Sequence, residues 1–93
     1  MAQRTAPAIN VQQATQSATA YLSDLQGFMG GLVEDIRLEE VELSEDGERW
    51  SITLSFARPG MNQLVPGQGQ REYKLFEISA VTGKVQAMKI RTL

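Results

Sequence analysis

The feature that most constrains this chain is a change of hydrophobic period at Gly30-Gly31. Before that pair, Val11, Ala14, Ala18, Leu22, Leu25 and Met29 recur at intervals of three and four, which is the spacing of one helix face. Tyr21 and Phe28 widen the stripe, while Gln12, Gln13, Gln16, Ser17, Thr19, Ser23 and Asp24 fill the other faces. After the glycines the apolar residues fall at every second position, as in strands with one face buried and one wet. The two periods cannot exchange, so the chain has to fold as one helix followed by a sheet.

The helix limits are marked. Asn10 is the N-cap, and Gln13 at N3 completes a capping box. Ile9 and Ala14 occupy the positions of a hydrophobic staple. Gly27, or the Gly30-Gly31 pair, supplies a left-handed stop.

The clearest strand is "RWSITLSFA", where Trp50, Ile52, Leu54 and Phe56 alternate with polar residues. Trp50 shares their parity, which places it on the helix-facing side. The preceding "EDIRLEEVEL" alternates too, but its phase slips: Ile36 and Leu38 share one parity, Val41 and Leu43 the other. One extra residue near Glu39-Glu40 restores a single face, which predicts a β-bulge there. Asp46-Gly47 is a hairpin signal between the two strands. Two further strands, "REYKLFEISA" and "GKVQAMKIRTL", pair across "VTG", with Gly83 at positive φ. Val85/Ala87 and Met88/Ile90 again differ in parity, so the last strand bends or bulges.

Strands joined by hairpins make an antiparallel meander, and the apolar face of a meander needs a cover. The expected architecture is α+β: one N-terminal helix packed on a four-stranded antiparallel meander sheet. Residues 1–8 are expected to be a disordered arm and residues 9–93 a single domain. With 93 residues the core is small.

Charge is unevenly spread within a total of −2. From Glu34 to Glu48 stand eight acids and one base; from Arg49 to the end stand seven bases and two acids. The acidic first strand and the basic last hairpin either face water, with weak cross-strand pairs, or form a bipolar surface that steers a partner of opposite sign or a second copy of the chain. Lys74, Lys84, Lys89 and Arg91 lack the interleaved aromatics of a nucleic-acid site, so nucleic acid is disfavoured as a partner.

Chemistry is hard to place on this sequence. It has no cysteine, so disulfides and thiolate chemistry are out, and no histidine, the commonest general base and metal ligand. Glu34-Asp35 and Glu39-Glu40 are adjacent pairs, and neighbours on a strand point to opposite faces unless a bulge intervenes. "SEDGE" lacks the spaced acids of a calcium loop, and neither "VTGK" nor the glycines after Arg58 fit a phosphate-binding loop. The expectation is a protein that is not an enzyme and uses no cofactor and no metal. No segment is apolar for long enough to span a membrane, and the N-terminus lacks the apolar run of a secretory signal. The expected address is the cytoplasm, or outside it if a signal has been removed.

Two features look suited to binding. The connection "RPGMNQLVPGQGQ" carries Met61, Leu64 and Val65 within a Gly/Pro-rich stretch, and long connections of this kind are usually functional or disordered. These apolar residues either fold back over the core or contact a partner. The last strand is a sheet edge, on which Lys89 and Arg91 discourage indiscriminate pairing.

The closing hairpin "REYKLFEISAVTGKVQAMKI" resembles the PepSY-type domain, through Tyr73, Ile78, Ser79, Ala80, Thr82, Gly83, Lys84 and Val85. That resemblance implies an extracytoplasmic domain that inhibits or modulates peptidases. "LEEVELSEDG", "ITLSF" and the closing "MKIR" are also similar to small bacterial proteins of uncharacterised function, which implies no activity. The reading that best joins these features is a small non-catalytic interaction or regulatory domain. It would bind another protein, or a second copy as a homodimer, through Met61, Leu64 and Val65 or through Lys89 and Arg91. A PepSY-like peptidase modulator and a weak nucleic-acid binder are the alternatives.

Overall fold

The computed structural model describes residues 7–58 and 71–91. Its elements are α1 (Val11–Leu25), a 3₁₀ turn (Gln26–Phe28), β1 (Glu34–Leu43), β2 (Arg49–Ala57), β3 (Arg71–Ser79) and β4 (Val85–Ile90). The four strands form one antiparallel sheet in the order β1-β2-β3-β4, with α1 on one face. The α+β meander expected from the two hydrophobic periods is the observed fold.

The capping box forms as the sequence predicts. The Asn10 side chain accepts from the Gln13 N–H at 2.8 Å, and the Gln13 side chain accepts from the Asn10 N–H at 2.9 Å. The stop is the glycine pair: Gly30 and Gly31 have φ of 95° and 124°, and the Gly31 N–H donates to the Gln26 carbonyl five residues back.

Small residues on the helix meet large ones on the strands. Ala14, Ala18 and Leu22 pack with Ile52, Leu54, Phe56, Phe76 and Ile78 in one buried cluster. Burying each large aliphatic or aromatic side chain contributes about 1.5–3 kcal/mol. Leu25 and Met29 are half-buried at the far end of the stripe, and Tyr21, though partly exposed, packs edge-on against Phe76 with ring centroids 6.2 Å apart. Phe28 departs from the expectation: it is 90% exposed. The helix tightens to 3₁₀ geometry at Gln26, so each residue turns through a larger angle and Phe28 swings off the buried stripe.

Both phase slips in the strands become register shifts. β1 shifts against β2 between Leu38 and Glu40, leaving Glu39 as the extra residue and restoring Leu38, Val41 and Leu43 to the helix side. β4 shifts against β3 opposite the step from Glu77 to Ile78, leaving Gln86 extra and placing Val85, Met88 and Ile90 on the helix side. A further shift, between Glu34 and Arg37, surrounds Asp35, which sits in the left-handed region at φ 52°.

The N-terminal approach to α1 is tied to the sheet. The Ile9 N–H donates to the Ala80 carbonyl at 2.9 Å, and the Ile9 carbonyl accepts from the Trp50 indole at 2.7 Å. Trp50 is half-buried on the helix side, as its parity predicts. Of the expected arm, residues 1–6 lie outside the described residues, and Pro7 is half-buried.

Candidate functional site

The helix covers one face of the sheet, and among the described residues nothing covers the other. That open face carries Arg37, Glu39, Glu40 and Glu42 from β1, Ser51, Thr53 and Ser55 from β2, Arg71, Tyr73, Leu75 and Glu77 from β3, and Ala87, Lys89 and Arg91 from β4 and its end. Most of its charges, Glu42 apart, fall into two groups of paired side chains.

The first group anchors the start of β1. Arg71 donates through Nε to the Ser55 hydroxyl at 3.0 Å, through Nη1 to the Asp35 carboxylate at 3.0 Å, and through Nη2 to the Asp35 carbonyl. Ser55 is fully buried and donates to the Glu39 carboxylate at 2.5 Å. One guanidinium on β3 thus reaches over β2 to hold the left-handed Asp35, which tolerates that conformation better than most residues. Arg37 also pairs with Asp35 at 2.7 Å; its hydrogen bond, with help from Arg71, holds the Asp35 carboxyl below its ordinary value.

The second group holds two residues expected to bind a partner. Arg91 pairs with Glu40 at 2.6 Å, and Lys89 lies 3.7 Å from Glu77. The Arg91–Glu40 pair joins opposite edges of the sheet. Four strands about 4.8 Å apart place those edges about 14 Å apart, a gap that the two long side chains bridge across the open face. Beneath the pair lies a depression of about 370 Å³, lined by Glu40, Val41, Glu42, Ser51, Thr53, Leu75 and Arg91. The bulge at Glu39 brings Glu39 and Glu40 to one face, but each is already engaged, one by Ser55 and the other by Arg91. Among the described residues no group of three or more His, Cys, Asp or Glu side chains is placed to hold a metal ion.

The edge of β4 differs in character from this paired surface. The Arg91 N–H donates inward to the Tyr73 carbonyl at 3.0 Å. Backbone polar groups alternate in direction along an antiparallel strand, so those of Ala87 and Lys89 also point at β3, while those of Met88 and Ile90 point outward. No strand lies beyond them among the described residues. The Ile90 side chain, on the helix side, is 80% exposed. The other edge, β1, exposes Leu38 and Val41 on the helix side but is broken by two register shifts and lined with glutamates. Both features blunt an edge against pairing.

Lys89 and Arg91 therefore stand together on the open face, immediately beside backbone groups that have no strand partner among the described residues. Met61, Leu64 and Val65 lie outside the described residues. The cations weighed for nucleic acid do not converge: Lys74 lies on the helix side, Lys84 in the last turn, and Lys89 and Arg91 on the open face. The outward direction of the Met88 and Ile90 backbone was not readable in the sequence, because it depends on which β3 residue each one faces. Among the described residues no helix is long and apolar enough to cross a membrane. The chain matches no protein-family model, no curated protein and no solved structure.

Proposed function

We propose that this domain is a non-catalytic protein-binding module that takes an extended segment of its partner along the edge of β4. One observation carries this reading: Met88 and Ile90 turn their backbone donors and acceptors outward beside an apolar side chain that is 80% exposed. Adding a strand to such an edge supplies main-chain hydrogen bonds for affinity, and alternate side chains supply specificity. Lys89 and Arg91 set the charge preference on the open face, and Ile90 sets the apolar preference on the helix side.

The test is capture of partners from cell extract with wild type and with Ile90→Pro. Proline at this position removes an outward N–H and leaves the β3–β4 ladder intact, since edge strands accept proline where the N–H faces solvent. Loss of the partner in Ile90→Pro, with an unchanged thermal melt, supports the β4 edge. Capture that survives Ile90→Pro but fails in Met61→Ala/Leu64→Ala assigns binding to the 59–70 connection instead.

A further inference from the structure

Resting on that reading of β4, we infer that the segment its edge accepts is β1 of a second copy, joined head to tail so that the meander runs on from one molecule into the next.

The two free edges are complementary residue by residue. The Ser44 N–H donates inward to the Arg49 carbonyl at 2.9 Å, so Glu42 and Glu40 also turn their backbone groups toward β2, and Val41 and Leu43 turn theirs outward. The outward groups on β4 belong to Met88 and Ile90. Setting Ile90 opposite Val41 of the next copy, and Met88 opposite Leu43, joins outward groups to outward groups in an antiparallel ladder. The same register places Lys89 opposite Glu42 and Arg91 opposite Glu40. Val41 and Leu43 lie on the helix side of their sheet, as Met88 and Ile90 do on theirs, so apolar meets apolar on that side and base meets acid on the open side. Val41 is 43% exposed and Ile90 80%, so both have apolar surface left to cover. Strand direction alternates through the four strands, and β4 followed by the next β1 preserves the alternation with the helices on the same side.

Charge decides against the symmetric alternatives. Pairing β4 with its own copy so that Met88 faces Ile90 sets Lys89 directly opposite Lys89, and pairing β1 with its own copy so that Val41 faces Leu43 sets Glu42 directly opposite Glu42. Like charges directly opposite are destabilising. The internal Arg91–Glu40 pair has to open for the join, but its side chains are 37% and 56% exposed, and exposed pairs contribute little. Head-to-tail contacts of this kind do not close by symmetry, so assembly grows with concentration and stays weak, because four residue pairs bury far less than a stable interface requires.

Sedimentation velocity on the purified protein, from micromolar to millimolar concentration, tests the inference. Wild type should show concentration-dependent association that salt weakens. Glu42→Lys and Lys89→Glu should each weaken it roughly tenfold, and the double variant, which restores opposite charge with the signs exchanged, should recover it. Because the chain has no cysteine, single Val41→Cys and Ile90→Cys proteins can be mixed under mild oxidation. The mixed disulfide should form ahead of either homodimer, since directly opposite residues in this register lie within disulfide reach. A protein that stays monomeric throughout, or homodimers of Ile90→Cys forming faster than the mixed species, overturns the inference. If Ile90→Pro abolishes capture from extract while the purified protein stays monomeric, the β4 edge remains the binding site and only the second copy is excluded. If Ile90→Pro leaves both capture and self-association intact, the β4 reading itself fails.

Discussion

The indole N–H of Trp50 donates to the carbonyl of Ile9, 41 residues earlier in the chain, at 2.7 Å. Together with the Ile9 N–H bond to Ala80, this fastens the entrance of α1 to the β2 and β3 ends of the sheet. The contact adds two hydrogen bonds at the helix entrance to the apolar packing of Ala14, Ala18 and Leu22 on the sheet.

Trp50→Phe keeps the ring on the helix side but deletes the donor. It should destabilise the domain by about 1–2 kcal/mol, the cost of leaving a half-buried carbonyl without its partner. Chemical denaturation measures the loss, and amide exchange near Val11–Ala14 should speed up more than exchange in β2. A variant as stable as wild type would show that the helix entrance is held by packing alone.

Two glycines should respond in opposite directions. Gly83 has φ 80°, and a Cβ there would stand 3.4 Å from the Ile9 Cδ1. Gly83→Ala puts a side chain into a left-handed backbone conformation and should cost about 1–3 kcal/mol, with the added methyl only in ordinary contact with Ile9. Gly27 has ordinary φ, and an added Cβ would meet nothing within 4 Å. Gly27→Ala should be neutral or stabilising by up to about 1 kcal/mol, through the unfolded chain. Thermal melts of the two variants check the contrast; a common sign would contradict it.

Arg71 holds Ser55, the Asp35 carboxylate and the Asp35 carbonyl with three nitrogens of one guanidinium. Arg71→Ala should cost about 1–3 kcal/mol and expose the buried Ser55 hydroxyl. Arg71→Lys should recover little of that, because an ammonium cannot match the fork. Hydrogen exchange at Glu34–Arg37 is the sensitive readout: rapid exchange in both variants is expected. Wild-type protection in Arg71→Lys would show that charge alone holds the start of β1.

Acid should destabilise the domain in a narrow window. Asp35 is held below its ordinary value by the Arg37 hydrogen bond, Asp46 by the Ser44 hydroxyl and the Glu48 N–H, and Glu72 by the Arg58 guanidinium. For each, the folded state binds its proton less readily than the unfolded chain. The stabilisation is therefore complete above the ordinary values of 3.8 and 4.5, and is lost as pH falls through the lower folded values. With no histidine in the chain, the melting temperature should hold level from about pH 8 to about pH 5.5 and fall below about pH 4. Asp35→Asn should flatten part of that acid limb. A steep loss of stability between pH 5.5 and pH 8 would contradict this account.

What the sequence determined by itself is local and periodic. The Asn10–Gln13 box, a glycine stop at one of two places, the alternation in β2, the bulge near Glu39 and a bend or bulge somewhere in β4 were legible, because apolar parity records which face of the backbone must be dry. Tertiary structure decided what parity cannot record. The left-handed turn at Asp35 is one such feature: Val33 and Ile36, of opposite parity, both pack against the core, but parity alone does not say which residue between them takes φ 52°. Phe28 left the stripe because the helix tightened at its last turn. The outward backbone of Val41, Leu43, Met88 and Ile90, on which the proposed joining of copies rests, depends on cross-strand register. Register is set by how whole strands dock under one helix, and no single strand contains it.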